Sequence, residues 1–350
     1  MNEAITYDDI QIVPSYSEIL SRSDCVLTSK ISKNVTLDIP IVSAPMNTIT
    51  WLEMCIAMDD LGGMGILHRF SSVSDMKTAL MDFRNLRPTG KIGASVGVTG
   101  DYLDRAKAIL DSKADILLID VAHGHHVLVK KAIEEIKSLV PDVSLSGKYN
   151  TDIMLGNIAT AAAAKDCYLW GADSIRVGIG SGSLCTTRIK TGVGVPMVTC
   201  IQDIINSTIG NPVPIVADGG LKTPGDISKA IALGASCVML GGILSGTQET
   251  PGESIRRGSW PHERLVKRYS GSASQESKLE RGEDDKNVEG VTTEVLYKGK
   301  VKRIVNEILD GLRSSMSYIG ASTITEFQNN AKFIKVTNNG RIEATPHGAM

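Results

Sequence analysis

Short apolar runs recur along this chain, and a helix-length amphipathic stretch separates each from the next. The runs are Ile39-Pro40-Ile41-Val42-Ser43, Met64-Gly65-Ile66-Leu67-His68, Ile92-Gly93-Ala94-Ser95-Val96 and Ile116-Leu117-Leu118-Ile119-Asp120. Four more follow: Asp152-Ile153-Met154-Leu155-Gly156, Ser174-Ile175-Arg176-Val177, Pro214-Ile215-Val216-Ala217-Asp218 and Cys237-Val238-Met239-Leu240-Gly241. Segments such as Leu103 to Ser112 and Val127 to Leu139 carry the helical period between them. Continuous apolar strands suit a parallel sheet covered on both faces. Eight such units predict an α/β fold of the closed (β/α)8 (TIM) barrel type. The competing arrangement is a doubly wound open sheet. It would want a GxGxxG loop after the first strand, and none is there.

Polar and glycine residues gather where these runs end: Asp120 with His123 and Gly124, Gly156-Asn157, Asp218-Gly219-Gly220 and Gly241-Gly242. That rim is where barrel enzymes hold their chemistry, and loops after the seventh and eighth strands commonly bind phosphate through backbone N–H groups. Asp218 could then accept hydrogen bonds from a ribose diol. Beyond the eighth strand the repeat stops. Residues 271–290 are polar and charged, fitting a surface loop or a mobile lid. Order returns in a C-terminal extension over 300–350, with a helical pattern from Val301 to Leu312 and a short strand, Phe333-Ile334-Lys335-Val336.

Composition narrows the class. At 350 residues the chain could form one large barrel or two ordinary domains, and its 4% aromatic content points to an aliphatic core. A net charge of −2 gives no basic footprint for nucleic acid. Six cysteines, at 25, 55, 167, 185, 200 and 237, lie far apart with no metal-ligand spacing. With no apolar run of membrane-spanning length and no secretory leader pattern, the expected setting is the cytoplasm.

One thiol stands out. In Gly178-Ile179-Gly180-Ser181-Gly182-Ser183-Leu184-Cys185-Thr186-Thr187-Arg188, a cysteine follows a predicted strand on a glycine-rich loop. Such a loop lets backbone dipoles converge on an ion, and a cysteine held among them can act as a nucleophile. The competing reading is a buried structural cysteine beside a tight turn.

These residues resemble the IMP dehydrogenase and GMP reductase superfamily, its reductase branch most closely. The likeness runs nearly end to end. It is carried by Thr6-Tyr7-Asp8-Asp9, Ser43-Ala44-Pro45-Met46-Asn47-Thr48, Ala217-Asp218-Gly219-Gly220, Val238-Met239-Leu240-Gly241-Gly242, Tyr297-Lys298-Gly299 and the cysteine loop. Only Arg69 to Lys91 separates the second and third strands, which leaves no room for the paired CBS modules that dehydrogenases of the family usually carry. The resemblance therefore implies a single barrel domain over 1–350. The run from Cys185 to Gly194 and the pattern Glu289-Gly290-Val291-Thr292-Thr293-Glu294-Val295 are similar to the reductase version. The lid lacks the Arg-Tyr dyad with which dehydrogenases activate water; Arg268-Tyr269 precedes it. Ser181, Asn47 and Ser272 depart from the family's usual proline, aspartate and methionine, and Asp120 to His126 matches neither branch fully.

What the resemblance implies is NADPH-dependent conversion of GMP to IMP and ammonia, with Cys185 attacking C2 of the purine and Thr187 and Glu289 relaying protons. It implies substrate contacts from Ser43, Met46, Ser183, Asp218, Gly219, Gly220, Gly241, Gly242, Gly271, Ser272, Lys286 and Gly290. Cofactor contacts are expected from Arg69, Asp120, Val121, Ala122, Asn157, Gly178 and Gly180, with Ser314, Ser315 and Ser317 supplied by a neighbouring subunit of a homotetramer. A monovalent cation, K⁺, is expected at Gly180, Gly182, Cys185 and Arg188. Arg69 could pair with the 2′-phosphate of NADPH or be a solvated strand-end arginine. Three rivals stay open: an IMP dehydrogenase without CBS modules, turning IMP to XMP with NAD; a flavin-binding barrel; and a nucleotide-binding regulator that is not an enzyme.

Overall fold

A computed structural model describes residues 3–139, 151–207, 213–282, 284 and 286–345. Eight parallel strands form a closed barrel: β1 (Ile41–Ser43), β2 (Met64–Leu67), β3 (Ile92–Val96), β4 (Ile116–Asp120), β5 (Asp152–Ile158), β6 (Ser174–Val177), β7 (Ile215–Asp218) and β8 (Cys237–Leu240). Each pairs with its neighbours in sequence, and β8 closes on β1 through Val238↔Ile41 and Leu240↔Ser43. All eight apolar runs became strands. The first is shorter than its run because Pro40 has no N–H to give the ladder.

The two-residue alternation within each strand divides the core. Ile116 and Leu118 of β4 join Val42, Ile66, Met154 and Val216 inside the barrel. Leu117 and Ile119 point outward into the layer beneath the helices, with Phe83, Ile109 and Ile133. A small hairpin, Ser29–Lys30 paired with Thr36–Leu37, stoppers the end of the barrel where the strands begin, adding Ile31, Val35 and Leu37 to the inner cluster. It is pinned by buried Asp152, which accepts from Ser32 Oγ at 2.6 Å and from Asn34 N at 2.8 Å. The opposite, C-terminal end is left open.

Outer helices follow the strands: α1 (Leu52–Asp60), α2 (Val73–Leu86), α3 (Tyr102–Asp111), α4 (Val127–Ser138), α5 (Ala161–Leu169), α6 (Met197–Ser207) and α7 (Pro224–Ala232). The start of α7 shows how local sequence sets a boundary. Thr223 and Asp226 form a reciprocal capping box, and Pro224 occupies the first turn, where no N–H is needed. The eighth helix, α8 (Val301–Tyr318), packs on α7 but arrives only after an excursion of about sixty residues. It extends six residues past the predicted Leu312. That excursion carries a three-stranded antiparallel sheet, β9 (Ile255–Arg257), β10 (Arg264–Ser270) and β11 (Thr292–Leu296), with the lid segment between β10 and β11. The predicted tail strand appears as Lys332–Lys335, paired antiparallel with Ile10–Val13, a strand the periodicity did not announce.

Candidate active site

The open end of the barrel contains a cavity of about 460 Å³, lined by the loops after six of the eight strands, by Asn157 of β5 and by the lid. The cysteine loop forms its floor. Gly178 opens that loop at φ 136°, where a Cβ would lie 2.1 Å from the Asp218 carbonyl oxygen, so no larger residue fits. Ser181, standing where the resembled family has proline, donates from Oγ to that same carbonyl at 3.0 Å. That bond ties the cysteine loop across to β7.

Cys185 is partly exposed to the cavity, and its Sγ lies 3.0 Å from Thr187 Oγ1. Thr187 donates its hydroxyl proton to Glu289 Oε2 at 2.6 Å. Since that proton is committed, the hydroxyl can only accept from the thiol, and the three groups form a directed path from sulfur to carboxylate. A nucleophile beside a base oriented by a third group is the arrangement covalent catalysis requires. The other five cysteines are buried, and burial raises each thiol, Cys167 and Cys200 to about 12. The rival reading of Cys185 as a buried structural thiol does not survive this contrast.

Glu289 arrives from 102 residues away because the lid is fastened down. Thr186 N donates to Glu289 O at 2.9 Å and Val291 N to Leu184 O at 3.1 Å, pairing the lid's end antiparallel to the cysteine loop. The segment 271–290 is therefore fastened to the cysteine loop at its C-terminal end, while Gln275, Glu276, Leu279, Glu280, Asp284, Lys286 and Asn287 between its ends are exposed. It includes a short helix, Gln275–Glu280, while residues 283 and 285 lie outside the described residues.

A cradle of backbone donors lines the same cavity as Cys185. The N–H groups of Ser183, Gly219, Leu221, Gly242 and Ile243 make no hydrogen bond among the described residues, and all five residues line the cavity. Convergent free N–H groups are an anion site. A Cβ on Gly242 would come within 2.8 Å of Ser183 Oγ, so a larger residue there would push the Ser183 hydroxyl aside. Tyr269 of β10 adds its hydroxyl, 2.9 Å from Ser183 Oγ. Burial raises its pKa, so it keeps its proton.

Between cradle and far wall lies a charged network. Arg176 of β6 donates to Asp120 Oδ1 at 2.6 Å and to Asp218 Oδ2 at 2.9 Å. Asn157 Nδ2 donates to Asp218 Oδ2 at 2.8 Å and to the Gly178 carbonyl at 2.7 Å. Burial works against the Arg176 charge, but the two carboxylates outweigh it and raise its pKa. Asp218 keeps Oδ1 free of these bonds. On the far wall, Arg69 sits 4.0 Å from Asp120, and its buried Nε has no hydrogen-bond partner among the described residues. The guanidinium groups of Arg69 and lid residue Arg281 both contact the Phe70 ring, at 4.8 and 4.3 Å from its centroid. His68 lies behind, 4.8 Å from Trp51 between ring centroids, and burial with Arg105 and Arg281 nearby lowers its pKa to about 4.

Most residues singled out from the sequence meet here, including Met46, Gly220, Gly241, Gly271, Ser272, Gly290, Val121, Ala122, Gly180 and Gly182. Some do not. Ser43 is fully buried and accepts from Thr50 Oγ1 at 2.8 Å, because strand alternation turns it away one residue before the lining begins at Ala44. Lys286 points outward and pairs with Asp284. Arg188 binds the Val195 carbonyl behind the loop. Ser314, Ser315 and Ser317 sit on α8, where Ser315 Oγ bonds Ser228 Oγ, away from this cavity. His125 pairs with Asp166 outside the cavity, and no group of three His, Cys, Asp or Glu among the described residues could hold a metal ion. Sequence reasoning missed Arg176, Phe70, Tyr269, Lys222, Lys278 and Arg281, which also line the cavity. Arg176 had a legible signal: a charge inside an apolar strand calls for a partner.

Comparison with known proteins agrees with this geometry. The model of the IMP dehydrogenase / GMP reductase domain matches residues 4–347. The inosine-5′-monophosphate dehydrogenase of Nitrosopumilus maritimus is 31% identical, the match covering 99% of both chains. That of Cryptosporidium parvum is 34% identical over 99% of this chain and 96% of the relative. The crystal structure of a GMP reductase from Trypanosoma brucei, a cysteine-to-alanine variant in complex with guanosine 5′-monophosphate, superposes with a TM-score of 0.90 at 28% identity. The superposition covers 100% of this chain and 99% of that one.

Proposed function

We propose, since this chain belongs to the IMP dehydrogenase / GMP reductase family, that it is the reductase: GMP, NADPH and a proton give IMP, ammonia and NADP⁺. The observation that carries this reading is the path from Cys185 through Thr187 to Glu289, on a lid whose described residues offer no Arg-Tyr pair. The Trypanosoma brucei structure, a reductase with GMP bound, supports it.

In this reading the 5′-phosphate occupies the N–H cradle, the ribose diol meets Asp218 Oδ1, and C2 of the base lies over Cys185 Sγ. The thiol proton passes through Thr187 to Glu289, and the thiolate adds to C2. An amide ion is a very poor leaving group, so the same path returns the proton to the departing amine; positioned transfer of this kind contributes ~10²–10⁴ in rate. A reduced nicotinamide, when bound, supplies the hydride to C2. Collapse of the adduct then expels the thiolate and leaves IMP. The wall of Arg69, Asp120, Val121 and Ala122 would hold the dinucleotide, and the unpaired Arg69 Nε suits an anionic group there. The carbonyls of Gly180 and Cys185 accept no hydrogen bond among the described residues and fit a K⁺ ion; those of Gly182 and Arg188 already accept from Cys185 N and Gly192 N. Ser314, Ser315 and Ser317 enter only if a neighbouring copy of a tetramer presents them.

Loss of NADPH absorbance on adding GMP, stoichiometric with ammonia and abolished in Cys185→Ala, is the expected result. The second reading, IMP dehydrogenase, is favoured by the names of the sequence relatives. Robust NADH formation from IMP and NAD⁺, with no GMP-dependent NADPH oxidation, would establish it instead. A yellow purified protein would favour flavin.

A further inference from the structure

Lys298 has no place in the chemistry above, yet its side chain reaches the underside of the cradle. It lies just beyond β11, and its backbone N–H donates to Gly246 O at 2.8 Å. From there Nζ donates to the carbonyls of Gly242 at 3.3 Å and Ile243 at 3.0 Å. No Asp or Glu among the described residues lies within 4.0 Å of that ammonium.

Two physical consequences follow. In a planar trans peptide the C=O and the next N–H point in opposite directions. Holding the Gly242 carbonyl down therefore aims the Ile243 N–H up, into the cavity. Ser245 Oγ donates to the same Gly242 carbonyl at 2.6 Å, and Lys298 adds a charged donor that also spans to the Ile243 carbonyl, while the Gly242 and Ile243 N–H groups are bonded to nothing among the described residues. The ammonium is also a half-buried charge without a counter-ion among those residues, and an anion seated in the cradle would complement it. The neighbouring chain binds the same region firmly: Gln248 N donates to Gly299 O at 2.8 Å, and Val301 N to Glu249 Oε2 at 2.8 Å. The root of the lid and the cradle are thus one mechanical unit.

We propose that Lys298 is a positioning residue for the substrate's phosphate, acting through the Gly242–Ile243 peptide rather than by touching the nucleotide. The inference rests on the reading of the ligand as a purine nucleoside 5′-monophosphate. The test compares wild type with Lys298→Met and with Lys298→Arg, which keeps a cationic donor. Calorimetry with GMP, guanosine and inorganic phosphate accompanies steady-state kinetics. Loss of charge-assisted hydrogen bonds should raise KM and Kd for GMP about 10- to 100-fold in Lys298→Met. Guanosine affinity should stay within about twofold, phosphate binding should vanish, and kcat should fall less than about threefold. Lys298→Arg should restore most of the GMP affinity. Should Lys298→Met misfold, Lys298→Gln keeps one donor without charge and should show the same selective loss. Equal weakening of GMP and guanosine, or an unchanged KM in Lys298→Met, overturns the inference while leaving the proposed function standing. A wild type that binds none of GMP, IMP or phosphate overturns both.

Discussion

Replacing Arg176 by methionine removes the cation that sits between two carboxylates at the centre of the barrel mouth. The side chain is only 10% exposed, against 17% and 20% for Asp120 and Asp218. Its bonds to them, at 2.6 and 2.9 Å, are charge-assisted. Taking one partner from a buried pair costs about 3–5 kcal/mol, chiefly because the remaining charge is left uncompensated. Here both carboxylates keep some contact with water, so the low end applies, ~3 kcal/mol. For a chain of this length the unfolding entropy is roughly 0.7 kcal/mol per kelvin, giving a fall in Tm of about 4 °C. Scanning calorimetry and urea titration of the purified variant measure this directly. A second substitution sharpens the test. Asp120→Asn in the Arg176→Met background removes one orphaned charge and should restore ~1 kcal/mol, whereas in the wild-type background it should destabilise. A Tm loss below about 1 °C for Arg176→Met, or a double variant less stable than the single one, would show that this triad does not hold the mouth together.

Other outcomes follow from the same geometry. Thr187→Val and Glu289→Gln should each lower kcat by ~10²–10⁴ with KM for GMP within a fewfold, and combining them should cost little more than either alone, because they form one path. Iodoacetamide under native conditions should label one thiol per chain, Cys185 by peptide mass spectrometry, since the other five are buried; prompt labelling of any other would contradict the packing. His68 makes stability depend on pH. Its folded pKa is lowered to about 4 by burial, so between pH ~6.5 and ~4 the unfolded chain takes up a proton that the folded chain refuses. Stability present above that window is lost as pH falls through it, by ~3 kcal/mol in all. Urea midpoints at pH ~7.5 and ~4.5 should show a larger acid loss for wild type than for His68→Gln.

Much of this molecule can be read from one dimension. The eight runs became eight barrel strands because a strand buried on both faces has to be apolar throughout, and that pattern is written along the chain. The spacing of Cys185 and Thr187, two residues apart on one turn, likewise placed the Cys185 thiol beside the Thr187 hydroxyl. Glycine pairs after β7 and β8 marked two neighbouring rim turns, and their unbonded N–H groups line the cavity as the sequence led one to expect.

Local order thus settles whatever depends on near neighbours: strand period, helix caps, the glycine turns and the thiol on its loop. Everything else waits for the chain to return on itself. Folding brought Glu289 across 102 residues to Thr187, set Arg176 between carboxylates from β4 and β7, and carried Lys298 beneath a turn more than fifty residues earlier. It also turned Ser43 away from the cavity, buried against Thr50, and Lys286 outward, against expectation. Those outcomes depend on where the chain comes back after a long excursion and on a one-residue difference in strand facing. Neither is encoded in local periodicity; both are settled only when the barrel closes and each buried polar group has to find its partner.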